Sequence, residues 1–387
     1  MTRTAYLDHA AASPLDPRVR EAMLPWLGER FGSPSSLHEW GRAPAEAVEE
    51  ARAEVAALAG AEPEWVVFTS GATEARNLAV TGLLSANRSL GRHMVASAVE
   101  HPATLAVCRT AARDGTVIDL VGVDGEGRID PAALGAAVRD DTAVVCAVHG
   151  QPDIGTLQDA AACVAAVRAV RPDARVVIDA GETAGLVPVD ASGWGADAVV
   201  VGGGPVGAPP WTGALLVRPG ARIHPVLGGG LQEGGKRAGA EDVPGIVALG
   251  TAARIARREM DARAARARAL AATLTAGLLA VPDVRLNGAV VDLIPGHVQV
   301  SAGWVEGEAL ALALAARGVA VSPGSACTVH GGKAAPALEA IGLEPPWTHS
   351  AVLFTLRHTT TEDEVAHAVA AFAESVGALR AMSPLTP

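Results

Sequence analysis

The chain has 387 residues, enough for one large folded unit and a smaller one; 49% hydrophobic and 19% charged residues exclude a disordered chain. With 31 basic against 42 acidic residues the net charge is −11, which disfavours nucleic acid and anionic membrane surfaces as partners. The first residues show no charged start followed by an apolar run, and apolar stretches are far shorter than a membrane span, so a cytoplasmic location is expected.

In chain order, the apolar spacing predicts helices over 16–27 and 43–59, the second carrying Glu46, Glu49, Glu50 and Arg52 on its polar side. Strands are predicted at 65–69, 93–97, 117–121, 143–148, 175–178, 198–201 and 214–217, with helical segments between most of them. These are continuous apolar runs rather than alternating ones, the pattern of a largely parallel sheet covered on both faces. Gly228-Gly229-Gly230 reads as a loop, and a long Ala/Arg helix follows over 247–279. Beyond it, strands at 298–301, 319–321 and 351–355 alternate with helices at 308–317 and 362–376. The expected organisation is a large α/β domain over 16–255 and a small α+β domain built from 1–15 and 256–387.

Four places could carry chemistry. The stretch 68–75, Phe-Thr-Ser-Gly-Ala-Thr-Glu-Ala, runs from strand to helix, where backbone N–H groups and the Thr73 hydroxyl could meet an anion; an ordinary capped turn reads the same way. His101 follows a strand at the edge where open α/β sheets bind ligands, although a lone histidine is more often structural. Asp179 ends an apolar strand, where a carboxylate needs a partner or caps the next helix. Cys327 lies among small residues with His330 three positions on, the setting of a reactive thiol. Cys108, Cys146 and Cys163 sit in Ala/Val-rich surroundings and read as core thiols.

Taken together, these residues resemble the cysteine desulfurases of the class V aminotransferase group. The resemblance runs through Tyr6–Ala11, Phe31–Ser36, Phe68–Glu74, Val99–His101, Ile154–Thr156, Asp179, Gly228–Gly230, Arg237, Val305–Glu308 and Gly324–Thr328. It implies the fold-type I aminotransferase-like architecture, a mostly parallel seven-stranded sheet sandwiched by helices plus a small α+β domain. It also implies pyridoxal phosphate held on a lysine, a loop cysteine that takes sulfur from cysteine, and a partner protein that receives it. Family dimers share sites between chains, so a homodimer is expected with the 228–240 loop crossing to the second copy.

Residue by residue, the resemblance makes Thr73 a phosphate ligand, His101 the group stacked on the pyridine ring, Asp179 the partner of the ring nitrogen and Cys327 the persulfide-forming thiol. The family's lysine position holds Pro205, the histidine before it Gly204, and a phosphate-binding serine Gly202. An asparagine at the cofactor's phenolic oxygen is Pro152, a glutamine beside the ring is Glu182, a threonine from the neighbouring subunit is Ala240, and the arginine for the substrate carboxylate is Leu353. Only two lysines occur in the chain, Lys236 and Lys333, and neither follows a strand.

These departures point first to a protein without cofactor or metal, a sulfur relay or regulatory partner of a desulfurase that works through Cys327. In that reading Thr73, His101, Asp179 and Glu182 are remnants of an ancestral cofactor pocket. Two alternatives stay open: a new enzyme in the vacated pocket, with Cys327 as nucleophile and His101, His149 or His330 as base, and a cysteine desulfurase or aminotransferase that holds pyridoxal phosphate non-covalently.

Overall fold

The computed structural model describes residues 4–323 and 335–382. Its centre is a seven-stranded sheet in the order Val66–Thr69, Gly213–Val217, Ala198–Gly202, Arg175–Asp179, Thr142–Val148, His93–Ser97, Val117–Val121. All neighbours are parallel except Gly213–Val217, which runs against both of its partners. The five central strands are buried except for Arg175 at the start of one, which accounts for their predominantly Val/Ala/Ile/Leu character. One face packs Val145, Ile178 and Val199 with the helices Glu39–Leu58 and Ala160–Val170; the other packs Val144, Val177 and Val200 with Ala72–Ala86 and Pro102–Arg113.

A second core lies around an antiparallel three-stranded sheet, Ala351–Thr355, His297–Ala302, Val284–Leu286, closed by helices Gly307–Ala315 and Glu362–Met382. The N-terminal segment belongs to this core. Ala5–Tyr6 pairs with Val319–Ala320, and Thr355 donates its N–H to Leu7 O at 2.8 Å. The helix Val243–Leu279 joins both: Ile246, Leu249 and Ala253 pack on the large sheet, and Leu270, Leu274 and Leu278 on the small one.

The predicted elements all occur, with ends displaced by a few residues where caps decide them. The long helix starts at Val243 rather than 247 because the Asp242 carboxylate accepts from Gly245 N–H at 3.1 Å and Pro244 sits in the first turn. Within one chain the 228–240 loop, expected to reach a second copy, leaves Leu231 and the preceding Leu227 exposed. That loop is tied to its own large core, with Glu233 accepting from Arg52 at 3.0 Å and from Phe68 N–H at 2.8 Å, and Arg237 paired with Glu74 at 2.9 Å. Among the described residues no helix is long and apolar enough to cross a membrane.

Candidate functional site

Parallel strands end on one sheet edge, so residues that follow them in sequence meet in space. The edge collects the start of helix Ala72–Ala86, the start of Pro102–Arg113, the end of Arg175–Asp179 and the short turn Gly203–Val206. Thr73, His101, Asp179, Glu182 and Pro205 therefore belong to one region, as the resemblance implied. Gly71 enters the first helix at φ +119°, a conformation side-chain-bearing residues rarely adopt, and no side chain caps that helix. Thr73 is exposed in its first turn.

At the centre of the region is an ion pair that sequence reasoning missed. Arg76 Nε donates to Asp179 Oδ2 at 2.6 Å and Nη2 donates to Oδ1 at 3.2 Å, with both side chains buried. Arg76 Nη2 also reaches Glu182 Oε1 at 3.4 Å, and the Asp179 carboxylate further accepts from Gly181 N–H and the Thr104 hydroxyl. Burial pushes the Asp179 carboxyl up, but the Arg76 guanidinium outweighs it and holds the group below its ordinary range. Glu182 is raised by burial, against the pull of Arg76. One guanidinium thus serves two carboxylates, pairing closely with Asp179 and more loosely with Glu182. A signal was present: an arginine inside the apolar run Ala75–Val80 and an aspartate closing an apolar strand are two buried charges that need each other.

Two glycines make room for this pair. A Cβ at Gly181 would lie 2.5 Å from Arg76 Nη2, and one at Gly202 would lie 2.4 Å from Gly181 O. A serine at 202 has no space on this backbone.

His101 caps its helix by accepting from Ala103 N–H on Nδ1 at 3.0 Å, so in the neutral ring Nε2 carries the proton. Burial, then the nearby Arg76 charge, pushes its pKa down to about 4, which keeps it neutral at pH 7. His149 is also lowered to about 4 by burial; it hydrogen-bonds Thr183 Oγ1 at 2.8 Å and packs on Trp194 with centroids 4.7 Å apart. Glu100 is buried with Oε1 accepting from Ser97 Oγ and Val148 N–H at 2.7 Å each, and Oε2 unpartnered. Burial raises it to about 8. An acid raised in the fold is protonated there while already ionised in the unfolded chain, so stability should fall as pH rises from about 4.5 to about 8, by up to about 1.4 kcal/mol per pH unit. Urea unfolding of Glu100→Gln across that range should lack this slope; an unchanged slope would assign it elsewhere.

Beside Pro205 lies a cavity of about 220 Å³ whose wall includes His9, Gly204, Pro205, Leu186 and Arg357. Leu353, which the resemblance sets where the family has its substrate arginine, is buried in strand Ala351–Thr355 with backbone bonds to Ser322. Of the two lysines, Lys236 lines a different cavity with Arg52 and Glu233, and Lys333 lies outside the described residues, as do Cys327 and His330. Cys108, Cys146 and Cys163 are buried free thiols as expected.

The edge of a doubly covered parallel sheet, with a strand-end carboxylate and an uncapped helix start, is where open α/β proteins bind ligands. Residues 5–367 match the family described as Aminotransferase class-V, and the chain belongs to it. It is similar to Cysteine desulfurase IscS of Dictyoglomus turgidum, 37% identical over 99% of this chain and 97% of that protein. Among solved structures it resembles a NifS-like protein at a TM-score of 0.92 and 27% identity, covering 97% of this chain and all of the other. It also resembles SspA in complex with cysteine, at 0.81 and 26% identity over 92% of this chain and all of that one.

These matches correct the expectation that no cofactor is used. Relatedness to cysteine desulfurases over nearly the whole chain makes pyridoxal phosphate the cofactor this site has to be judged against. The residues present fit its two ends. Asp179 would supply the buried carboxylate for a ring nitrogen, His101 a neutral ring beside it, and the uncapped helix start with Thr73 an anion site. The ring nitrogen would share Asp179 with Arg76, and Gly202 contributes no hydroxyl.

Proposed function

We propose that this chain is a cysteine desulfurase-like protein that holds pyridoxal phosphate without a covalent link. The observation that carries this reading is the buried Asp179 beside His101 at the sheet edge where the turn Gly203–Val206 bears Pro205 instead of an amine. When bound, the cofactor supplies an electron sink for bonds at an amino acid's α-carbon. Asp179 holds negative charge at the ring nitrogen. His101, with its Nδ1 lone pair used by Ala103 N–H, offers a proton from Nε2 rather than accepting one. Thr73 and the first-turn N–H groups hold the phosphate, and Arg76 keeps Asp179 ionised at its own buried position.

Cys327 and His330 complete the reading as the thiol that receives sulfur and the group that favours its thiolate, with an acceptor protein downstream. A homodimer in the cytoplasm, and a division into 16–255 against 1–15 with 256–387, belong to the same proposal. The division is supported by the long helix, whose first half packs on one core and second half on the other. Cys327 should react with iodoacetamide faster than the other three cysteines. Those are buried, and burial pushes the Cys108 and Cys163 thiols up to about 12. Peptide mapping after a short exposure tests this; equal labelling of all four would remove Cys327 from its role. The function itself is tested by sulfide release from cysteine with added pyridoxal phosphate, in wild type and Cys327→Ala. Turnover lost in the variant supports the reading, and no turnover by wild type with any acceptor sinks it.

A further inference from the structure

We propose that Arg357 anchors the carboxylate of a small organic ligand in the cavity beside Pro205. The residue follows strand Ala351–Thr355 and is held by its backbone, its N–H donating to Thr360 Oγ1 at 3.2 Å and its O accepting from Thr360 N–H at 3.0 Å. The residue is 8% exposed, lines the cavity, and leaves Nη1 buried with no hydrogen-bond partner. Among the described residues no carboxylate is ion-paired to it. Glu182, the acidic group that it feels electrostatically, is already engaged by Arg76. A guanidinium taken out of water and left unpaired is costly, and a protein keeps one where something else brings the counter-charge.

Among the described residues of the cavity wall, Arg357 is the cation left open to a ligand. Arg263, also on the cavity wall, is bound to Glu259 and Asp16, and Asp16 is further paired with Arg18. His9 does not compete: burial, then the Arg357 charge, pushes it down to about 4. His358, also lowered by burial, is neutral at pH 7 as well.

The shape and lining select the ligand class. A guanidinium presents two parallel N–H groups that match a planar carboxylate. The rest of the wall is largely apolar, with Pro14, Leu15, Leu186, Pro205 and Pro295. An apolar or small polar body on the carboxylate would fit there, whereas a phosphate would press its remaining charged oxygens against carbon. The inference adds a ligand class to the proposed function and rests on that reading only in taking this cavity as part of the reacting site.

The test uses the full chain without added pyridoxal phosphate, with propionate and inorganic phosphate as separate probes in ligand-observed NMR. Wild type should bind propionate, Arg357→Leu should bind it at least tenfold more weakly, and Arg357→Lys should fall between, because the charge survives without the fork. Phosphate should not displace propionate. Because the leucine variant removes an unpaired buried charge, it should melt no lower than wild type. Equal propionate affinity in wild type and Arg357→Leu overturns the proposal. So does Arg357-dependent phosphate binding tighter than that of propionate, or a leucine variant that melts lower, which would make the guanidinium structural. Absence of pyridoxal phosphate binding would sink the proposed function while leaving the propionate result to stand or fall alone.

Discussion

Arg76→Ala should destabilise the protein by about 3–5 kcal/mol at neutral pH, the cost of leaving a buried carboxylate without its partner. Asp179 is only 3% exposed and keeps only the Gly181 N–H and the Thr104 hydroxyl once the guanidinium is gone. Its ionised form is then unsupported, and its pKa should rise. The sign of the pH effect follows from the wild-type direction. Asp179 is held below its ordinary value in the fold, so the pair's contribution is present above the unfolded value of about 3.9 and is lost as pH falls through the folded one. Arg76→Ala should flatten that acid limb. Asp179→Asn in the wild-type background strands the arginine instead and should also destabilise. The double variant Arg76→Leu/Asp179→Asn should recover part of the loss, since two neutral groups replace two dependent charges. Urea unfolding of the four proteins at pH 7 and at about pH 2.5, below the unfolded value of about 3.9, checks this. A cost below about 1 kcal/mol for Arg76→Ala would show that the pair is not held as described.

Cofactor affinity should depend on the same carboxylate. Removing charge from Asp179 takes away a hydrogen bond to a cationic ring nitrogen, and bonds to charged groups are worth about 1.5–3 kcal/mol, or roughly 10- to 150-fold in affinity. Asp179→Asn should therefore weaken pyridoxal phosphate binding by at least tenfold, and His101→Ala by less, since a stacked ring contributes contact rather than charge. Thr73→Val should produce a smaller loss because backbone N–H groups of the uncapped helix remain. Difference absorbance on titration reports each affinity. Equal affinity for wild type and Asp179→Asn would place the cofactor elsewhere.

The fold was legible because its signals are local and repeated. Each buried parallel strand reads as an apolar run, and parallel strands bring their trailing residues to one edge, so Thr73, His101 and Asp179 could be grouped without coordinates. What the sequence concealed were pairings between distant positions. Arg76 and Asp179 are 103 residues apart, and only their shared burial reveals that the guanidinium neutralises the carboxylate and bonds Glu182. Gly202 reads as the loss of a phosphate-binding serine; in space the Gly181 carbonyl occupies the room a side chain there would need. Arg357 gave no signal at all, because an arginine after a strand is ordinarily a surface residue and its isolation appears only when its neighbours are known. The inference that failed ran from replaced positions to an absent cofactor. It treated each position as independent of residues able to compensate, and relatedness across 99% of the chain to cysteine desulfurases overturned it.

The most direct test of non-covalent binding is titration of the purified protein with pyridoxal phosphate, followed by borohydride reduction and mass spectrometry. Saturable binding that dialysis reverses, with no pyridoxyl adduct on Lys236 or Lys333, is the predicted result. A reduced adduct on either lysine, or no binding at all, would contradict it.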